Sequence, residues 1–255
     1  MRMKFLYNAP AILYKKALII GDTHFGMEQK LLSKGIHYQD FSDGLFLKIK
    51  SMLKQTKAEK LIILGDVKEQ VATLDPKTAG ILAKLNLLTE LIIVRGNHDG
   101  GIEGCGARIV PSGGFVFGVS TCPTNRARDP RERCSLGLGL VHGHSWPSDE
   151  CMNADFLISA HQHPSLSIVD KSGKRHSEPV WIIADADEGM IAQHYKSFNK
   201  KIKLVLIPAF NPLVGAAFDP LDAHLGPILS NKLFKIDAAI IYRLEGTPLR
   251  DPKKS

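Results

Sequence analysis

Three short apolar runs constrain the first hundred residues: Ala17-Leu18-Ile19-Ile20, Leu61-Ile62-Ile63-Leu64 and Leu91-Ile92-Ile93-Val94. Runs this brief and this apolar read as strands buried on both faces. Segment 39–57, after the first, carries Phe41, Leu45, Ile49, Met52 and Leu53 at helical spacing, with lysines on the remaining positions. After the second, Asp75-Pro76 opens a helix that reaches residue 88, with Asp as N-cap and Pro at the first helical position. Strand, helix, strand, helix, strand calls for parallel pairing with right-handed crossovers.

Each run then turns polar. The first is followed by Gly21-Asp22-Thr23-His24, the second by Gly65-Asp66, and the third by Arg95-Gly96-Asn97-His98-Asp99. Open α/β sheets present their ligands at the carboxyl ends of the strands. On an extended backbone Asp22 and His24, two residues apart, point the same way.

After Gly100-Gly101 the texture changes to short strand candidates: 107–110, 115–119, 138–141, 156–159, 166–169, 180–183, 202–207 and 238–244. Two of them end like the earlier runs. Val141 leads into His142-Gly143-His144, and Ser159-Ala160 into His161-Gln162-His163. Segment 5–14 reads as an edge strand or arm, 24–37 as a loop with a helical turn, and Lys171-Ser172-Gly173-Lys174 as a hairpin turn. No linker divides the chain. The expectation is one domain over residues 1–255, a parallel α/β half followed by a β-rich half, with two sheets face to face and helices outside.

A chain of 255 residues, 44% apolar and 23% charged, has the composition of a soluble globular protein with a full core. It contains no apolar run of the ~20 residues that span a bilayer. With no signal-peptide pattern at the start, a cytoplasmic location is expected. The four cysteines form no Cys-x-x-Cys pair and are expected as free thiols. A net charge of +7 favours polyanionic partners, and a generally solvated basic surface accounts for it equally well.

Asp22, His24, Asp66, Asn97, His142, His161 and His163 are a set of imidazole, carboxylate and amide ligands, which suits manganese, zinc or iron. They are too many for one ion and fill two sites if a carboxylate bridges. Two ions ~3.5–4 Å apart clamp the attacking and leaving oxygens of an in-line phosphoryl displacement. They also lower the pKa of a bridging water.

The order Asp-x-His, Gly-Asp, Gly-Asn-His-Asp, His and His-x-His, running from Gly21 to His163, resembles that of the calcineurin-like metallophosphoesterases. Gly21-Asp22-Thr23-His24-Phe25-Gly26, Gly65-Asp66-Val67-Lys68, Gly96-Asn97-His98-Asp99-Gly100-Gly101 and the late Ile207-Pro208-Ala209-Phe210-Asn211-Pro212-Leu213 are most similar to the archaeal SbcD-related or ICC-like phosphoesterases. The resemblance implies an α/β fold of two packed mixed sheets flanked by helices, in four layers α/β/β/α. It implies one ion on Asp22, His24, Asp66 and His163, a second on Asp66, Asn97, His142 and His161, and Asp66 as the bridge. Two divalent ions are the implied cofactors. Manganese is the family expectation, and zinc, iron or nickel fit the same ligands.

In that family the histidine at the place of His98 acts on the substrate, as general acid or by stabilising the phosphate, and Asp99 would orient its ring. The implied activity is hydrolysis of phosphate esters by in-line attack of a bridging hydroxide, with phosphodiesters of nucleotide or nucleic acid type favoured. A DNA-repair nuclease related to SbcD competes, although only about 90 residues follow His163, where such nucleases carry a further cap domain. The rival of another class is a non-catalytic interaction scaffold of the same fold. Retention of every ligand and of His98 argues against it.

Two positions depart from the family pattern. Glu69 stands where another acidic or amide residue often follows the second motif, and it receives no role. Ala160 replaces the glycine that usually precedes His161. His142-Gly143-His144 could supply either ring to the metal; His142 is taken because it directly follows the strand, and His144 is otherwise read as a substrate contact or an orienting group. Arg126 and Arg128, in an arginine-rich loop at 123–134, are candidate phosphate contacts, set against a solvated loop with Asp129 and Glu132 as partners. Trp146 and Trp181 could stack on a base or simply pack. The lysines at 48, 50, 54, 57 and 60 read as the wet side of a helix.

Overall fold

The computed structural model describes residues 3–37, 40–120, 135–169, 172–214 and 225–250. The first sheet has six strands: β1 (Lys4–Phe5), β2 (Ile12–Tyr14), β3 (Ala17–Ile20), β4 (Lys60–Leu64), β5 (Glu90–Val94) and β6 (Arg108–Val110), in that spatial order. Strands β3 to β6 run parallel, and β1 and β2 add an antiparallel edge. The register sets Ile20 beside Ile63 and Leu64 beside Val94, so the strands end almost level. Helices α1 (Met27–Ser33), α2 (Phe41–Thr56) and α3 (Pro76–Leu88) lie within the connections β3–β4 and β4–β5. At the start of α3 the Asp75 carboxylate accepts from Thr78 N at 3.0 Å. Such a cap is worth about 1 kcal/mol.

Segment 24–37 holds α1, a seven-residue helix rather than a single turn. Gly26 and Gly35 bracket it and hide its short apolar period.

The second sheet has eight strands in the order β14-β13-β11-β12-β9-β8-β7, with β10 paired to β11. These are β7 (Phe115–Phe117), β8 (Leu138–Val141), β9 (Phe156–Ser159), β10 (Ser165–Val169), β11 (Arg175–Asp185), β12 (Lys203–Leu206), β13 (Ile240–Arg243) and β14 (Pro248–Arg250). Strands β8, β9 and β12 are mutually parallel, and Val141 pairs with Ser159. Strands β10 and β11, on either side of the hairpin turn expected at 171–174, pair antiparallel; residues 170 and 171 lie outside the described residues. Short helices α4 (Asp149–Met152), α5 (Glu188–Ala192) and α6 (Pro227–Ser230) cover this sheet.

The period-two alternation of the strands sorts the core into three apolar layers. In β3, Leu18 and Ile20 face Ile49, Leu53, Ile81 and Leu85 of α2 and α3, while Ile19 faces the other sheet. In β9 and β12, Ile158 and Val205 join that inter-sheet layer, and Leu157, Leu204 and Leu206 pack towards the helices. The result is the expected α/β/β/α sandwich of two mixed sheets. Among the described residues no helix is long and apolar enough to cross a membrane.

The sheets meet most closely where Gly21 faces Ala160. A Cβ on Gly21 would lie 2.7 Å from that of Ala160. Having no side chain, Gly21 makes room for the neighbouring sheet. Ala160 is fully buried and is not among the residues with positive φ, so its methyl is accommodated by the glycine opposite. Gly21→Ala should therefore lower stability by about 1–3 kcal/mol through overpacking. Adding Ala160→Gly should recover most of it in thermal unfolding, and a double variant no more stable than Gly21→Ala would refute this account.

Candidate metal centre

The level strand ends of both sheets gather the polar residues at one edge. Asp22 and His24 follow β3, Asp66 follows β4, and Asn97 and His98 follow β5, all from the first sheet. His142 follows β8, and His161 and His163 follow β9, from the second. Asp22, Asp66 and His142 are almost completely buried, His163 is partly buried and Asn97 is exposed.

These side chains are not presented on extended backbone, as the spacing of Asp22 and His24 suggested. Asp22, His24, Asp66, His161 and His163 all have φ between 40° and 69°, the left-handed region. Non-glycine residues rarely adopt it, at about 1–3 kcal/mol each, and hold it only where the surroundings over-determine it. Here backbone bonds continue the β3–β4 pairing beyond the strands: Asp22 N to Gly65 O at 3.2 Å, His24 N to Asp66 O at 2.9 Å and Phe25 N to Val67 O at 2.8 Å. From the far side, Asn211 N donates to Asp22 O at 3.2 Å, and the Asn211 amide donates to Thr23 O at 3.0 Å.

Two groups of ligand atoms that each draw on both sheets result, each within 4.8 Å of one another: Asp22, His24 and His163, and Asp66, His142 and His161; a third, His24, Glu69 and His98, is as close but comes from the first sheet alone. Asp66 faces both. Its Oδ2 is 3.7 Å from His24 Nε2, and its Oδ1 is 3.4 Å from His142 Nε2. Gly96 makes this possible, because a Cβ there would lie 2.3 Å from Asp66 Oδ1. In the first group, His163 Nε2 is 3.3 Å from Asp22 Oδ1. Yet neither it nor His24 Nε2 makes a hydrogen bond, although both are buried. Two imidazole nitrogens aimed without partners at a carboxylate fit a divalent cation. In the second group, His142 Nδ1 bonds Leu64 O at 2.8 Å, leaving Nε2 turned to Asn97 Oδ1 at 3.1 Å and to Asp66. Two oxygens converging on one imidazole nitrogen need a proton or a cation between them.

The electrostatics favour the proton when no cation is bound. Burial alone would lower the His142 pKa, but the carboxylates of Asp66 and Asp22 push it up to about 9. His161 is pulled down to about 4, by burial and then by the charge on His142. Burial opposes the ionised forms of Asp22 and Asp66, and the surrounding histidines still hold both below the ordinary carboxylate value.

Three residues near the cluster have roles not foreseen in the sequence. Glu69 Oε2 sits 2.8 Å from His24 Nδ1, and its other oxygen pairs with Lys30. Despite burial, these partners bring Glu69 down to about 2. A carboxylate behind a histidine fixes the ring and its tautomer. Lys68 is fully buried and donates to Val71 O and His98 O, both at 2.8 Å, and to Gln70 O. Asn211 is the third, through its bonds to Thr23 O and Asp22 O. Glu69 stood three places after Asp66 as a visible signal. A buried lysine has none, because lysine reads as surface.

The expectation that Asp99 orients the His98 ring is corrected. Asp99 Oδ1 accepts from Val67 N and Oδ2 from Gly96 N, each at 2.8 Å, so it ties the loops after β4 and β5 together. The His98 ring is held instead by Glu69 O, 2.8 Å from Nδ1, and the His98 backbone N donates to Asp66 Oδ1 at 2.9 Å. Glu69 thus steadies His24 with its side chain and His98 with its backbone. His144 stands beside the second group, its ring 5.2 Å from that of His142, with a buried Nδ1 that makes no hydrogen bond. Arg126 and Arg128 lie outside the described residues, as do Cys122 and Cys134; Cys105 and Cys151 are free thiols.

Side chains of metal-ligand type thus gather at the joined strand ends of two face-packed mixed sheets. Residues 15–200 match the family model described as calcineurin-like phosphoesterase, and the chain belongs to that family of hydrolases. Its fold is similar to that of nuclease MPE from Pseudomonas putida, with a TM-score of 0.53 and 18% identity, covering 94% of this chain and 92% of the other. It is also matched to Yfce, a phosphoesterase from E. coli, with a TM-score of 0.40 and 16% identity over 92% of this chain and 96% of the other. No curated protein matches the chain.

The proton on His142 has a measurable consequence. With its pKa near 9, His142 is protonated at neutral pH and must lose that proton to take an ion through Nε2. Metal affinity should fall as pH drops below 9, by about tenfold per unit for each proton displaced. Manganese titrations by calorimetry in buffers of different ionisation enthalpy should count at least one released proton near neutral pH; none released would contradict the charge state. Glu69→Ala should weaken manganese binding by about 10–100-fold in the same titration.

Proposed function

We propose that this chain is a dimetal-dependent phosphoesterase acting on phosphodiesters of nucleotide or nucleic acid type. The observation that carries the reading is Asp66, whose two oxygens face the two groups of ligand atoms. One ion is assigned to Asp22, His24, Asp66 and His163, and the other to Asp66, Asn97, His142 and His161. Bound there, two divalent ions would supply positive charge for the phosphoryl oxygens and would lower the pKa of a water. Manganese is the proposed metal.

The chain's own residues do the rest. Asp66 keeps the two sites at a fixed separation. Glu69 holds the His24 ring, and the Leu64 carbonyl holds that of His142, so that Nε2 of each faces the centre. His98, with Nδ1 committed to Glu69 O, has Nε2 left for the substrate. Its proposed task is to donate a proton to the leaving oxygen or to hold a phosphoryl oxygen, worth about 10²–10⁴ in rate. His144, beside His142, is a proposed contact for the remaining phosphoryl oxygens. The diester preference is supported by the basic balance of the chain and by the SbcD-like motifs. A nuclease is the second reading, favoured by the fold-level likeness to nuclease MPE over almost the whole chain.

Hydrolysis of bis-p-nitrophenyl phosphate, with and without manganese, tests the reading. Wild type should turn over only with metal, and His98→Ala should keep both ions but lose about 10²–10⁴ in kcat. Asp66→Ala should lose turnover altogether. Asp22→Ala should weaken the first site while Asn97, His142 and His161 still hold an ion. Metal-loaded protein with no turnover would overturn the enzymatic reading, and two ions bound unchanged in Asp22→Ala would overturn the ligand assignment. Single-stranded and duplex DNA as substrates then separate nuclease from small-molecule esterase.

A further inference from the structure

The late segment Ile207-Pro208-Ala209-Phe210-Asn211-Pro212 stands apart from the metal-ligand motifs, yet it is tied firmly to the centre. Phe210 N donates to Gly21 O at 2.9 Å, and Asn211 clasps the turn after β3 through both its backbone and its amide. Residues 209–212 of this segment form one wall of a cavity of about 200 Å³. His163, the ligand-type residue at the edge of the first group, forms part of the same lining. Whatever enters this cavity is therefore placed against that group.

The lining has a definite chemistry. Ser177 and Pro179 of β11 line it, while Glu178, between them, turns to the opposite side and pairs with Arg243 at 3.1 Å. Among the described residues the lining holds no carboxylate, and apart from His163 its one ionisable side chain is Lys48, from α2. The Lys48 ammonium lies 4.8 Å from the centroid of the Phe210 ring. It forms no ion pair with a described carboxylate, and partial loss of water lowers its pKa with no neighbouring acid opposing the shift. A lysine on a wet helix side chooses among the surrounding acids; this one is held over neutral walls in a cavity that His163 also lines.

We propose that this cavity receives the portion of the substrate that extends from the scissile phosphate, and that Lys48 binds a second phosphate on it. The inference rests on the phosphoesterase reading and narrows it to substrates carrying a neighbouring phosphate, as a nucleotide strand does. The volume is below the about 300–1,000 Å³ of pockets that engulf a whole ligand. It suits one sugar- or base-sized group with the next phosphate at its rim. The Phe210 ring fixes the lysine, and Asn211 fixes the ring's segment to Asp22, so the distance between the two phosphate positions is built in.

The test compares the p-nitrophenyl ester of thymidine 5′-phosphate with the same ester carrying a 3′-phosphate, using full-length, manganese-loaded protein. In wild type the added phosphate should lower KM by about fivefold to tenfold, the range of a charge-assisted contact at a partly exposed site. In Lys48→Gln the ratio of the two KM values should fall to about one, and Lys48→Arg should restore most of it. A separate binding measurement titrates thymidine 3′,5′-bisphosphate and thymidine 5′-phosphate into the same proteins. The bisphosphate should bind more tightly to wild type, and the difference should vanish in Lys48→Gln.

Hydrolysis of both esters without discrimination, or equal KM changes for both in Lys48→Gln, overturns the second-phosphate site and leaves the phosphoesterase reading standing. Discrimination in binding without hydrolysis of either ester upholds the site and overturns the enzymatic reading.

Discussion

Asp66 is a single carboxylate facing two sets of imidazoles, and the geometry around it accounts for much of the surrounding structure. Its oxygens lie 3.7 Å from His24 on one side and 3.4 Å from His142 on the other, and one of them also accepts from the His98 backbone. A buried anion needs such compensation. It also needs room, which Gly96 provides by having no side chain where the Asp66 carboxylate lies. The left-handed backbone at Asp66 turns the side chain inwards, and the bonds from His24 and Phe25 to the β4 loop hold that conformation. Parallel pairing of β3, β4 and β5 brings their ends level. Without that register the carboxylate would have no partners at the same height.

Much of this was legible in the chain, and the reasons are physical. The runs at 17–20, 61–64 and 91–94 are apolar on both faces because both faces are covered, and such strands announce themselves. Their polar successors stand out because nothing else follows a buried strand so abruptly. What escaped were the pairings outside the ligand set that three-dimensional proximity decides. Gly21 is there for Ala160, 139 residues away in the chain. Asp99 was paired with its neighbour in sequence, His98, but its oxygens serve Val67 and Gly96. Helix α1 lay between two glycines that blur its period.

The hardest feature to foresee was Lys68. An ammonium is expected in water, and its full burial is tolerated because backbone carbonyls of Gln70, Val71 and His98 surround it. Three acceptors from two loops make it a cross-brace between the segment after β4 and the segment after β5. Together with Asp99, it replaces the regular hydrogen bonding that ends with the strands. The loops after β4 and β5 are thus tied to each other by side chains rather than by a backbone ladder.

The composition of the two ligand groups has a consequence for the whole sandwich. Each group draws on both sheets: Asp22 and His24 from the first with His163 from the second, and Asp66 from the first with His142 and His161 from the second. Elsewhere the sheets are held by an apolar layer that has no directionality. Ions bound at this edge would act as rivets across the seam, present only in the folded state. By mass action, the strength of the seam then becomes a function of free metal concentration. A cell poor in the metal would hold not only a less active protein but one whose two sheets part more readily at that edge.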